Sequence, residues 1–127
     1  MTCATLGHTC QREDLRINQG STWARTLNFA NSSGTAINLT GCTIRGMVRK
    51  NKLDVSPAIT LTCAVTDATN GVATVLMTAA DSTALTVGER ITDTASLYWY
   101  DIEIVWSDST VQRFLEGDIR FSAECTK

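Results

Sequence analysis

Residues 97–106 constrain the fold more than any other part of the chain. The run Leu97-Tyr98-Trp99-Tyr100-Asp101-Ile102-Glu103-Ile104-Val105-Trp106 is dense in aromatic and β-branched residues and holds neither Gly nor Pro, the composition of a central strand. Alternate side chains leave a strand on opposite faces. Tyr98, Tyr100, Ile102, Ile104 and Trp106 therefore form the expected core face, and Trp99, Asp101, Glu103 and Val105 the outer one. A polar turn, Ser107-Asp108-Ser109, leads into a partner strand over residues 111–121 with Val111, Leu115, Ile119 and Phe121 in phase.

Similar alternation recurs along the chain. Residues 14–19 and 22–29 read as two strands separated at Gly20, the second with Trp23, Leu27 and Phe29 in phase. A polar turn over 30–35 precedes a half-buried strand at 42–49, where Ile44 and Val48 oppose Arg45 and Arg49. Residues 50–57 form a charged loop whose Pro57 must lie outside a ladder or on an edge, because it has no N–H to donate. The stretches 59–65 and 72–77 flank an Asn70-Gly71 hairpin signal. Thr78 with Asp81 caps one short helical piece over 78–85, and residues 87–96 make a mostly polar loop around Gly88. About seven strands and almost no helix predict an all-β, antiparallel, two-sheet sandwich of immunoglobulin type, with a small barrel as the alternative. Residues 1–13 have no period and read as an irregular arm, leaving 14–127 as the folded domain.

A chain of 127 residues suits one domain with a sizeable core. Eleven basic residues against thirteen acidic ones, with no basic run, give no electrostatic footprint for nucleic acid. No apolar stretch approaches the ~20 residues that span a bilayer, and the first residues lack the charged start and apolar centre of a signal peptide, so the expectation is a protein made in the cytosol with no membrane partner. The glycines form no phosphate-cradling pattern and no cofactor is predicted.

The five cysteines are an odd number, so at least one is unpaired within the chain or bonded to another molecule. Cys42 and Cys63 fall in strand-like runs and read as small buried residues, whereas Cys3, Cys10 and Cys125 lie near the ends. The single histidine, His8, is in the arm, a poor place to preorganise Cys-His chemistry. Cys3, His8, Cys10 and Cys125 lack the paired spacing of a structural zinc site, and no metal is predicted. Asp101 and Glu103 share a face, as paired carboxylates for acid–base chemistry would, yet alternation places polar groups there in any case, and Arg45, Arg49 or Arg120 are suitable cross-strand partners. Trp99 and Phe114, large aromatics in the outer phase, are candidates for a contact surface or for a second apolar cluster under the 87–96 loop. No catalytic residue is predicted.

Four motifs in order carry a resemblance: Ile17-Asn18-Gln19-Gly20-Ser21-Thr22-Trp23; Ile37-Asn38-Leu39-Thr40-Gly41-Cys42-Thr43-Ile44-Arg45 with Val48-Arg49; Tyr100-Asp101-Ile102-Glu103-Ile104; and Val111-Gln112-Arg113-Phe114-Leu115-Glu116-Gly117. Over residues 14–124 the chain resembles small tailed-bacteriophage virion proteins that are similar to the immunoglobulin-like amino-terminal domain of phage baseplate upper proteins. It departs in Asn38 where Asp is usual, in a longer 87–96 loop and in the cysteine-bearing arm. The resemblance implies a non-enzymatic virion building block, a tail or baseplate adaptor joining a fibre or receptor-binding device to the particle. Its partners would be other virion subunits or further copies of itself. Under that reading Cys3, Cys10 or Cys125 forms an intersubunit disulfide, and Trp99, Asp101, Glu103 and Phe114 are the interface candidates. The alternatives are a capsid decoration protein and a carbohydrate-binding module stacking sugars on Trp23, Trp99 or Trp106.

Overall fold

The computed structural model describes residues 11–125. In chain order its strands are β1 (Gln11–Arg12), β2 (Leu15–Asn18), β3 (Trp23–Asn28), β4 (Thr43–Arg49), β5 (Ile59–Thr60), β6 (Thr62–Asp67), β7 (Val72–Met77), β8 (Leu97–Val105) and β9 (Val111–Ser122). One helix, α1 (Ala79–Thr83), and a 3-10 turn over Thr94–Ser96 complete the elements. The result is an all-β sandwich of two sheets. The large sheet runs β1-β9-β8-β4-β5, with β2 also paired to β9, and the small one runs β3-β7-β6.

The 97–106 run is the centre of the large sheet, with β4 antiparallel on one side and β9 on the other. Its inner residues Tyr98, Tyr100, Ile102 and Ile104 are buried against Leu27, Phe29, Val75 and Met77 of the opposing layer, while Trp106 is only half-buried. Phe29 and Phe114 meet edge to face at 5.0 Å, and Tyr98 and Phe121 at 5.4 Å, the arrangement that aromatic quadrupoles favour. Each such side chain contributes about 1.5–3 kcal/mol of burial.

Three expectations change. Gln11 and Arg12, placed in the arm, are a strand: they lie parallel to β9, the Glu13 N–H donates to the Glu116 carbonyl (2.8 Å), and β2 continues on the same edge. The all-antiparallel expectation fails on that edge alone. The close approach needs Gly117, where a Cβ would lie 2.1 Å from the Glu13 carbonyl oxygen.

The single strand expected over 59–65 is two. β5 pairs with β4 in the large sheet and β6 with β7 in the small one. Leu61, buried between them, crosses over Gly46, donating its N–H to the Gly46 carbonyl (2.9 Å), with its Cδ1 where a Cβ at residue 46 would be only 3.0 Å away.

The third change is a β-bulge. Ile102 pairs with Leu115 but Glu103 with Arg113, so Phe114 is an extra residue and the inward phase of β9 reverses there. Phe114 turns into the core beside Leu115, and Val111, expected inside, is 50% exposed. The helix start follows the sequence: the Asp81 N–H donates to Thr78 Oγ1 (3.1 Å) and the Thr78 N–H to Asp81 Oδ2 (3.0 Å), a reciprocal capping box.

Candidate functional site

Strand pairing lines up the outer residues of β4, β8 and β9 in rows. Arg45, Glu103 and Arg113 form one row, Met47, Asp101 and Glu116 the next, and Arg49, Trp99 and Asp118 the third. Together with Lys52 and Leu53 of the 50–57 loop, the first two rows and the Arg49–Trp99 end of the third line a groove of about 410 Å³ across the outer face of the large sheet.

Alternating charge explains how so polar a face holds together. Arg45 Nε donates to Glu103 Oε1 at 2.7 Å, Arg113 lies 3.4 Å from Asp101 and 3.3 Å from Glu116, and Arg12 pairs with Asp14 (3.0 Å) and Asp118 (3.7 Å). These are partly exposed pairs of small individual worth, but their order fixes which side chains face the groove. Burial pushes the Asp101 carboxyl above its ordinary value. Arg113 opposes that shift, Glu103 adds to it, and Arg49 and Glu116 act more weakly in opposite senses. Arg49 itself has no carboxylate within ion-pair distance among the described residues. Its Nη2 faces Met47 Sδ (3.6 Å) and its Nη1 is shielded from solvent without an acceptor.

Of the interface candidates, Trp99, Asp101 and Glu103 share this groove. Phe114 does not: the bulge leaves it 2% exposed against Phe29, so it stabilises the core and cannot meet a partner. Asp101 and Glu103 are each held by an arginine, Glu103 by the expected Arg45 and Asp101 by Arg113, which the sequence reading did not single out; Arg120 instead donates to the Ile91 carbonyl (3.2 Å). Among the described residues no group of three His, Cys, Asp or Glu is arranged to hold a metal ion.

All three indoles are engaged within the chain. Lys52 Nζ lies 4.9 Å and Arg12 Cζ 6.0 Å from the Trp99 ring, Arg25 lies 5.6 Å from that of Trp23, and Trp106 Nε1 donates to Gln112 Oε1 (3.3 Å). Cys3, His8 and Cys10 lie outside the described residues. Cys125 is exposed, whereas Cys42 and Cys63, expected to be buried, are half-buried against the core, where burial pushes the Cys63 thiol up to about 11.

Leu53 and Val55 carry no signal in charge or period. They are 95% and 97% exposed, at the tip of a loop judged only by its charges. The available signal was two aliphatic residues two apart in a segment with no strand or helix to bury them.

No protein-family model matches this chain, and no curated protein matches it.

Proposed function

We propose that this chain is a non-enzymatic structural subunit of a tailed-phage particle, an adaptor of the tail or baseplate that joins a fibre or receptor-binding device to the particle. The observation that carries the protein–protein part of this reading is Leu53, an aliphatic side chain almost wholly in water on the rim of a charged groove, with the equally exposed Val55 two residues further along the same loop. Exposed apolar groups rimmed by polar ones mark contact surfaces. The four motifs in order support the assignment to a particle, and the residues in them have structural duties. Asn38 Oδ1 accepts from the Thr40 N–H (2.9 Å), Gln19 Nε2 donates to the Leu85 carbonyl (2.9 Å), and Gly117 admits the β1–β2 edge.

Peptide mass spectrometry with copy counting on purified particles tests this reading. The expected result is incorporation at tens of copies. Absence from particles overturns it, and copies in the hundreds, matching the major capsid protein, transfer the chain to capsid decoration. Cys125 offers an exposed thiol for the intersubunit disulfide, with Cys3 and Cys10 as the other candidates. Non-reducing electrophoresis of the same particles should show a larger species that collapses on reduction. A monomer band alone removes the disulfide from the proposal.

A further inference from the structure

Four cations and three carboxylates line the groove on the outer face of the large sheet. Two arginines hold all three carboxylates: Arg45 lies 2.7 Å from Glu103, and Arg113 reaches both Asp101 (3.4 Å) and Glu116 (3.3 Å). The other two cations, Arg49 and Lys52, have no carboxylate within ion-pair distance among the described residues. Both stand at Trp99, which is the cross-strand neighbour of Arg49 and has Lys52 Nζ 4.9 Å from its ring. Arg12, the third cation near that ring, is already held by Asp14 and Asp118.

Arg49 is the more telling of the two. Its Nη2 faces Met47 Sδ at 3.6 Å, and its Nη1 is screened from solvent without an acceptor. A thioether is a weak acceptor, so neither protein nor water fully compensates this guanidinium. Charges attract more strongly where water is excluded, and an anion brought to Arg49 therefore gains more than one brought to a hydrated surface cation. Met47, Leu53 and Trp99 line the same end of the groove and supply an apolar wall. We infer that the Arg49–Lys52 end of the groove binds a carboxylate side chain flanked by aliphatic residues, carried on an extended acidic segment of a partner protein.

Other occupants fit less well. The lining leaves a single positive charge in surplus, which suits one carboxylate, whereas a polyanion would also meet Asp101, Glu103 and Glu116. Sites for free small molecules enclose most of their ligand. This groove lies across the open face of a sheet with Leu53, 95% exposed, on its rim, and a length of chain can follow its rows while covering Leu53. The inference names the partner chemistry of the contact surface proposed above and rests on that reading.

Nitrogen-15 NMR titration of the full chain with a capped Leu-Glu-Leu tripeptide tests this, following the indole N–H of Trp99, which the Trp99→Phe variant identifies. The expected result is a saturable shift, with the Leu-Gln-Leu counterpart binding at least ~tenfold more weakly because it lacks the charge-assisted bond. Arg49→Met weakens binding of the glutamate tripeptide at least ~tenfold and leaves the urea midpoint unchanged or higher, because in the free protein the guanidinium has no strong partner to lose. Lys52→Gln weakens binding about threefold, as an exposed cation should. Arg90→Gln, which removes an exposed cation on the 87–96 loop, leaves binding unchanged. The inference is overturned by the absence of a saturable shift, by equal binding of the glutamine tripeptide, by an Arg49→Met protein that binds as well as the parent, by an Arg90→Gln protein weakened as much as Arg49→Met, or by inorganic phosphate moving the same signal at equal or lower concentration. The adaptor role is measured on particles, so a chain found in particles whose groove ignores the glutamate tripeptide loses this inference alone.

Discussion

Two loops leave the same end of the large sheet and differ in what they do with their backbone. Residues 50–57 join β4 to β5, and residues 87–96 precede β8. The second is stitched down. Ser96 is fully buried, and its Oγ accepts from the Gly88 N–H (3.1 Å) and donates to the Arg90 carbonyl (2.9 Å). Arg120 holds the Ile91 carbonyl, Tyr98 Oη donates to the Thr86 carbonyl (2.7 Å), and Lys50 Nζ donates to the carbonyls of Thr94 and Leu97, both at 2.7 Å. Beyond Lys50, the first loop closes only its own Asn51–Asp54 turn and presents Leu53 and Val55 to water. Polarity alone does not separate an anchored loop from a presented one. What separates them is whether neighbouring elements supply donors for the loop's carbonyls.

Substituting Ser96 tests the anchored loop most severely. Ser96→Val removes a fully buried hydroxyl that serves two backbone groups, and a loss of about 2–3 kcal/mol in urea unfolding is expected. A loss within experimental error would mean that the loop is not held from beneath.

Lys50 joins the two loops, and Lys50→Met keeps an aliphatic stem while deleting both carbonyl bonds and the ammonium group that lies 4.6 Å over the Tyr98 ring. A loss of about 1 kcal/mol near neutrality is expected. Burial lowers the Lys50 pKa below its ordinary 10.5, so between the lowered folded value and 10.5 the unfolded chain binds more protons. This group's contribution therefore makes stability rise with pH in that window, and the Met variant flattens the rise. An unchanged alkaline profile would remove Lys50 as its cause.

The presented loop should give the smallest effect of all. Leu53→Ser and Val55→Ser shift unfolding by less than about 0.5 kcal/mol, because neither side chain leaves water on folding. If either variant unfolded markedly more easily, the loop would be packed rather than presented, and its difference from 87–96 would vanish.

Much of the fold is legible in the chain. The inner and outer faces of β8, the Thr78–Asp81 cap, the turn at Gly71 (φ +69°) and the place of Pro57 outside the ladder all follow from period and turn chemistry. The errors share one cause. The bulge at Phe114 and the passage of Leu61 from one sheet to the other are changes of partner, and alternation within a strand does not encode its partner. The same holds for the site: Trp99, Asp101 and Glu103 were recognisable as an outward row, whereas Met47, Arg49 and Lys52 join them only because β4 and its loop lie alongside β8.

The sequence by itself determined that this protein is an all-β sandwich with a charged outer row on its central strand, because side-chain direction in a strand is a local property with a period of two. Only the tertiary structure decided that Phe114 is core, that Gln11 and Arg12 close an edge, and that Leu53 and Val55 face water. Burial and donor supply depend on which distant segments come to lie alongside, a global outcome of packing two sheets.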